Sequence, residues 1–172
     1  MHRSRVVWCS LAVFVLALIV RWPHLSQSLW YDEMYTLVEY VQQPWQRVLA
    51  GRPGEYVPNN HVLHTVLAKI VYSIGHRPDD VEPNEALLRV PALIAGCLLP
   101  IALAWPMRRV TPWTALLIAV VAAVHPWLVA FSSEARGYSL MLLLAVVATN
   151  LQPDGSRRWP IWYAICIPAG RR

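Results

Sequence analysis

The stretch VVWCSLAVFVLALIV, residues 6–20, contains no charged residue and is followed directly by Arg21 and Trp22. A helix needs roughly 17–25 largely apolar residues to cross the hydrocarbon core of a bilayer. The stretch therefore predicts a first membrane span from Val6 to about Trp22. It also sets the expected class of fold for the rest of the chain.

Similar apolar blocks recur along the sequence. The 172 residues are 56% hydrophobic and 15% charged, whereas soluble domains usually carry about 25% charged residues. We therefore expect an all-α, polytopic membrane protein with about four complete spans and a truncated fifth. The predicted later spans are Val90 to Met107 with a kink at Pro100, Pro112 to Phe131 with an internal Pro126, Gly137 to about Leu151, and a segment beginning near Trp159.

Arginines cluster at alternate ends of these predicted spans. Arg3 and Arg5 precede the first span, the pair 108–109 follows the second, and the pair 157–158 follows the fourth. The positive-inside rule makes that side cytoplasmic. We therefore expect a multi-pass protein of the plasma (inner) membrane with a cytoplasmic N-terminus. The net charge of +5 reflects these topology determinants, and no basic stripe points to nucleic acid.

The same reasoning divides the chain into a first span (1–22), an external loop (23–88) and further spans (89–172). Eight of the ten acidic residues lie in the external loop. Apolar residues recur at helical spacing in LWYDEMYTLVEYV (29–41) and in NNHVLHTVLAKIVYSIG (59–75). Both segments are too short or too polar to span, so we expect amphipathic helices at the membrane interface.

Asp32 and Glu33 are the first candidate catalytic residues. Acids in the first turn of a helix can simply offset its dipole, typically by 0.3–1 kcal/mol. Two adjacent acids among aromatic side chains exceed what capping requires. Because a helix separates neighbouring side chains by about 100°, one carboxylate can face a site while the other supports it.

A second group of candidates lies in FSSEARGYSL, residues 131–140. Glu134 and Tyr138 would share a helical face at i and i+4. The forked guanidinium of Arg136 suits a lipid-linked phosphate, although a charged pair at the end of a span is often only interfacial.

The external loop offers weaker candidates. His61 and His64 could share a metal ion with an acid from elsewhere, but two histidines without a third ligand are weak evidence, and a polar helix face explains them better. Lys69 is either snorkelling or in contact with phosphate. No Gly-rich phosphate loop or nucleophile elbow is present, and the spacing of Cys9, Cys97 and Cys166 matches no metal or disulfide pattern.

Four elements in order carry a resemblance: SLWYDEMYTL (28–37), NNHVLHTVLAKI (59–70), RVPALIAGCLLPIAL (89–103) and HPWLVAFSSEARGYSLMLLLAV (125–146). Together they resemble the N-terminal part of C-type membrane glycosyltransferases. More narrowly, they resemble the protein O-mannosyltransferase and aminoarabinose-transferase superfamily.

The resemblance implies transfer of a sugar from a polyprenyl-phosphate donor to an extracytoplasmic protein, lipid or glycan acceptor. Asp32 matches the proposed catalytic carboxylate, Glu33 its partner and Glu134 the second acid. Arg136 matches a donor-phosphate contact and His61 the histidine of an "NHP" element, in which Val62 replaces the usual proline.

From these matches we expect an inverting displacement with an aspartate base. Lys69 and Tyr138 are added as substrate-binding candidates. No cofactor is certain, although a divalent cation would have weak candidate ligands in His61 and Glu134.

Family members have many more spans, so we expect this chain to be an incomplete portion of such an enzyme. The alternative is a non-catalytic small membrane subunit, or truncated relative, that binds lipid or a partner. A transporter fits less well, because the acidic and basic candidates lie at span ends rather than within spans.

Overall fold

The computed structural model describes residues 3–50, 61–76, 83–109 and 111–151, and all regular secondary structure in these residues is helical. The predicted all-α class is therefore confirmed. The α-helices are α1 (Arg3–Arg21), α2 (Tyr31–Thr36), α3 (Trp45–Ala50), α4 (Val62–Gly75), α5 (Glu85–Ala104), α6 (Pro112–Val124), α7 (Pro126–Ser133) and α8 (Tyr138–Asn150). A π-turn (Leu37–Val41) extends α2, and 3₁₀ turns follow α1 (Trp22–His24) and α5 (Trp105–Arg109).

Two helical segments are long and apolar enough to cross a membrane, Ser4–His24 and Glu85–Arg108. They match the first two predicted spans. The predicted third span is broken: α6 and α7 meet at a bend of 55° and count as one span only if taken together. The predicted fourth span, α8, has 13 residues, or about 20 Å of helix, which is shorter than the bilayer core. The expectation of four complete spans is therefore wrong for the described residues, and the predicted fifth segment lies outside them.

The break between α6 and α7 follows from local sequence. His125 has an extended backbone (φ −63°, ψ 124°), as expected for a residue that precedes a proline. Pro126 lacks an N–H and begins α7 at a position where no donor is needed. By contrast, α5 continues as one helix through Pro91 and Pro100.

Helix α5 is central and packs against α1, α4, α6, α7 and α8. Small residues allow the close approach. A Cβ atom added to Gly96 would lie 2.0 Å from the Cβ of Ser132 on α7, so the two backbones are nearly in contact. The apolar core between α1, α5 and α6 is likewise rich in small residues, including Ala17, Cys97, Ala119 and Ala123, which is typical of helix packing in membranes.

Helix α4 turns its polar residues inward. His64, Thr65 and Lys69 are buried, whereas Leu63 and Ile74 are 52% and 82% exposed. This is the reverse of a helix on a water-soluble protein, and it suits a helix whose outer face meets lipid. The polar residues that the sequence placed off the apolar stripe therefore face the protein interior.

Candidate active site

The centre of the site is an ion pair between Glu33 on α2 and Arg89 near the start of α5. Both side chains are buried. The groups meet in a bidentate arrangement, with Arg89 Nε 3.0 Å from Glu33 Oε1 and Nη2 2.7 Å from Oε2. Glu33 also accepts hydrogen bonds from the backbone N–H groups of Trp30, at 3.0 Å, and of Ala135.

These four donors fix the charge of Glu33. Burial by itself raises the pKa of this carboxyl group, but the bonds from Arg89 and the two backbone N–H groups outweigh burial. The pKa therefore lies below its ordinary value. Glu33 is an anion whose lone pairs are already committed, and it has little capacity left to accept a proton from a substrate.

Arg89 also hydrogen-bonds to the irregular backbone between α1 and α2. The guanidinium donates to four carbonyl oxygens in the segment that joins α1 to α2, those of His24 (3.3 Å), Leu25 (2.9 Å), Gln27 (2.6 Å) and Ser28 (3.3 Å). Carbonyl groups in such a segment have no helical partner and need donors when buried. Arg89 thus anchors both Glu33 and the chain that leads to it.

Asp32 lies beside Glu33 in the sequence but in a different environment. Its side chain is 39% exposed and forms an ion pair with Arg136, which is 22% exposed. The two acids differ because α2 turns them to different sides. Asp32 is therefore the accessible carboxylate of the pair.

The segment 134–137 brings the second sequence element to the first. Glu134 leaves α7 with an extended backbone (φ −102°, ψ 144°), so the Ala135 N–H can reach Glu33 and the Arg136 guanidinium can reach Asp32. The predicted sharing of one helical face by Glu134 and Tyr138 is wrong, because α8 begins only at Tyr138.

Glu134 is partly buried close to this charged network. Burial raises the pKa of its carboxyl group, and the negative charge of Glu33 raises it further, with partial relief from Arg89. Glu134 therefore holds a proton to higher pH than an ordinary glutamate does. Two carboxyl groups at one site with opposite pKa shifts can take different roles in proton transfer.

His61 closes another side of the site. Its ring packs edge-on against Tyr138, with 5.2 Å between ring centroids, and burial lowers its pKa. A Cβ atom at Gly137 would lie 2.6 Å from the Cβ of His61, so only glycine admits this approach. The Arg136 guanidinium carbon lies 5.4 Å from the centroid of the Tyr138 ring, within the range of a cation–π contact.

His64 lies one turn further along α4 and is 2% exposed. Its Nε2 atom is buried without a hydrogen-bond partner. Burial and the neighbouring His61 lower its pKa to about 4, against a smaller opposing effect of Glu33. His64 is therefore a neutral imidazole close to Glu33 and His61.

Lys69 does not join this group. It lies eight residues beyond His61 on α4, about 12 Å along the helix axis. Its Nζ donates to the carbonyl oxygens of Val41 and Gln43, both at 2.6 Å, and lies 5.2 Å from the centroid of the Trp45 ring. In this structure Lys69 caps the end of the π-turn and makes no contact with Asp32 or Arg136.

Five of the eight sequence candidates make these direct contacts: Asp32 with Arg136, Glu33 with the backbone of the 134–137 segment, and Tyr138 with both His61 and Arg136. Glu134 is the sixth, next to Ala135. The structure adds Arg89, which was not among the sequence candidates. The available signal was a charge at the start of an apolar helix, which demands a partner.

The two candidate metal ligands lack a third. Among the residues that the structure describes, no group of three or more His, Cys, Asp or Glu side chains is placed to hold a metal ion. A cation at His61 or Glu134 would need ligands from a substrate phosphate, from water or from elsewhere in the chain.

Comparison of the chain with protein-family models, with curated proteins and with solved structures found no match.

Proposed function

We propose that this chain carries the catalytic carboxylate and the phosphate-binding residues of a membrane glycosyltransferase that uses a polyprenyl-phosphate sugar. The main support is the difference between two adjacent acids. The Glu33 carboxylate accepts hydrogen bonds from four donors, whereas Asp32 is partly exposed and paired with Arg136. An accessible carboxylate beside an arginine provides a base and an anion-binding group at one point.

The reaction can start from this ion pair. A donor phosphate competes with Asp32 for the guanidinium of Arg136, whose forked donors suit phosphate oxygens. Once released, Asp32 accepts the proton of an acceptor hydroxyl or amine as that group attacks the anomeric carbon. The bond to the carrier phosphate breaks, the phosphate leaves with its electron pair, and configuration at the anomeric carbon inverts.

Three other residues have supporting roles. Arg136 stabilises the charge that develops on the departing phosphate. Glu134, with its raised pKa, can donate a hydrogen bond from its protonated form. The His61–Tyr138 ring pair offers an aromatic surface for the sugar or the carrier. A divalent cation bound to the donor phosphate would draw on His61 or Glu134.

The proposal is tested in membranes that contain this chain, by measuring release of polyprenyl phosphate from a labelled polyprenyl-phosphate sugar. Asp32→Asn keeps the shape of the side chain but removes the base, so we expect at least a roughly hundredfold loss of rate. The matched control is Glu39→Gln, another acid of the external loop, which should retain the wild-type rate. Full activity of Asp32→Asn would refute the assignment.

Two further arms separate the alternatives. EDTA in the same assay tests the divalent cation, because a chelator lowers the rate only if a metal ion takes part. If wild type releases no polyprenyl phosphate but still retains the labelled donor, and Arg136→Gln loses that retention, the chain is the lipid-binding subunit rather than the transferase.

A further inference from the structure

A row of aromatic side chains leads away from the candidate active site along α7. Tyr138 begins the row, with its ring centroid 5.4 Å from the guanidinium carbon of Arg136. The centroid of the Phe131 ring lies 5.4 Å from that of Tyr138, and Trp127 follows at 6.0 Å from Phe131. Because Trp127 and Phe131 are four positions apart on α7, they lie on the same face of that helix. The rings therefore form one continuous surface that starts beside a cation.

This aromatic row passes from the interior of the molecule to its outside. Tyr138 and Phe131 are partly buried, whereas Trp127 is 67% exposed. Ala130 on the same side of α7 is also exposed, while Ser132 on the opposite side is buried. Trp127 lies six residues before the end of α7, or about 9 Å along the helix axis. A ligand held at the site can therefore follow the rings out of the helix bundle.

The chemistry of the row fits an amphiphile. At one end, the partly exposed guanidinium of Arg136 has the forked donors that suit phosphate oxygens. The rings of Phe131 and Trp127 offer large apolar faces that suit a hydrocarbon chain. Helices α6 and α7 together are apolar enough for a broken membrane span, so a lipid chain can reach the exposed end of the row. A water-soluble sugar phosphate would bind the guanidinium and leave the rings uncovered.

We propose that the aromatic row binds the isoprenoid chain of the donor, with the phosphate at Arg136 and the first isoprene units over Tyr138, Phe131 and Trp127. This inference rests on the proposed function, because the phosphate at Arg136 fixes where the chain begins. The sugar and the chain are attached through different oxygens of the phosphate and leave it in different directions. With the chain along α7, the sugar is directed toward Asp32, the partner of Arg136.

The test measures equilibrium binding of two labelled phosphates to the purified full chain in detergent micelles. Polyprenyl phosphate carries the whole chain, whereas isopentenyl phosphate carries a single isoprene unit, too short to reach Trp127. Trp127→Ala should weaken binding of polyprenyl phosphate roughly tenfold, because one ring face is lost, and should leave isopentenyl phosphate unchanged. Arg136→Gln should weaken both ligands by at least roughly tenfold, because both lose a charged donor.

Two further variants serve as controls. Trp127→Phe keeps an aromatic ring at the exposed end of the row and should largely restore the affinity for polyprenyl phosphate. Trp113→Ala removes a tryptophan that is 81% exposed at the beginning of α6, away from the row. It should leave the affinities for both ligands as in wild type.

The outcomes separate this inference from the proposed function. If Arg136→Gln weakens both ligands but Trp127→Ala weakens neither, the isoprenoid chain lies elsewhere, and the inference fails while the phosphate site stands. If Arg136→Gln weakens neither ligand, both proposals fail. Unlabelled phosphatidylglycerol should displace labelled polyprenyl phosphate poorly. Displacement as effective as that by unlabelled polyprenyl phosphate would show a general site for anionic lipids and would overturn the assignment to the donor.

Discussion

Asp32 and Glu33 show how one backbone position changes the chemistry of a carboxylate. Glu33 is 1% exposed and meets an arginine and two backbone N–H groups. Asp32 remains accessible and has one charged partner. The first arrangement holds structure together, because a buried charge must be paired and fully hydrogen-bonded. The second leaves a carboxylate that a ligand can release from its partner.

This difference predicts that Glu33 contributes to stability. Glu33→Gln leaves Arg89 as a buried charge without its counter-ion, which costs about 3 kcal/mol. The unfolding midpoint in mixed micelles should fall accordingly. Glu39→Gln is the matched control: its 3.3 Å pair with Arg47 is partly exposed, so its cost should stay below about 1 kcal/mol. Equal shifts for the two variants would contradict the assignment.

His64 predicts a dependence of stability on pH. Its folded pKa of about 4 lies below the ordinary value of about 6.5, so the unfolded chain binds the proton more tightly. Stability is therefore complete above about pH 6.5 and is lost as pH falls toward 4, by roughly 3 kcal/mol in total. Burial lowers the pKa of His61 as well, so the effect of His64 must be isolated by a variant.

His64→Phe should flatten this part of the profile, measured as the unfolding midpoint between pH 7 and pH 4.5. Glu33 does not obscure the window, because its depressed pKa removes stability only below the ordinary glutamate range. An unchanged slope in His64→Phe would show that His64 is not the group responsible.

At this scale the residue pattern predicted the pair, but only the family resemblance assigned a different role to each acid. The 100° between neighbouring helical positions implies that Asp32 and Glu33 face different ways. Which acid faces inward depends on Arg89, 56 residues away, and on a backbone N–H in the 134–137 segment. The contacts of Lys69 could not be predicted for a similar reason, because its carbonyl partners lie at the end of another helix.

At the scale of helices, the contacts of Arg21 stabilise the break between α6 and α7. Its buried guanidinium donates to the carbonyl oxygen of Ala123 at 2.8 Å and to Ser132 Oγ at 2.6 Å, with a longer contact to the Leu128 carbonyl at 3.4 Å. The acceptors lie on both sides of the break at His125. Backbone groups freed within a membrane need protein partners because water is scarce there. The sequence places Arg21 at the end of the first predicted span, and the structure buries it inside the helix bundle.

Removing this arginine should separate α6 from α7. Arg21→Met keeps much of the side-chain length but leaves the Ala123 carbonyl and Ser132 without their donor, at a cost of roughly 3 kcal/mol. Arg21→Lys should be intermediate, because a single ammonium group cannot span all the acceptors. Arg47→Met, at a partly exposed position, is the control for loss of one arginine. Unfolding in mixed micelles is the measurement, and an unchanged midpoint for Arg21→Met would rule out this role.

Most helices could be predicted from apolar periodicity, but their ends could not. In FSSEARGYSL the predicted i, i+4 pairing placed Glu134 and Tyr138 on one helix, yet residues 134–137 lie outside the helices and meet Glu33 and Asp32. Long-range bonds outweigh local preference at that point. In α4 the periodicity predicted the apolar stripe correctly. It did not predict that this stripe faces outward and the polar residues inward, an arrangement that suits contact with lipid.

For the whole molecule, two side-chain contacts show how the short helix α8 lies against α5. Ser139 Oγ near the start of α8 donates to the Ala92 carbonyl, and Asn150 near its end donates to the Ala102 carbonyl. Helix α8 therefore runs parallel to α5, from the candidate active site toward the end of α5 at which Arg108 lies. It follows the path of a predicted fourth span although its 13 residues cannot cover the full hydrocarbon core.

This arrangement predicts which positions share one side of the membrane. Gln46, in the predicted external loop, and Thr111, which follows α5 and its 3₁₀ turn, are both exposed and belong to opposite ends. In a chain with its three cysteines changed to alanine, Gln46→Cys should react with a membrane-impermeant maleimide on intact cells. Thr111→Cys should react only after the membrane is permeabilised, because the positive-inside rule predicts that the end carrying Arg108 is cytoplasmic. If only Thr111→Cys were labelled on intact cells, the orientation would be the opposite of the predicted one. Asp32 would then lie in the cytoplasm, where an external acceptor could not reach it.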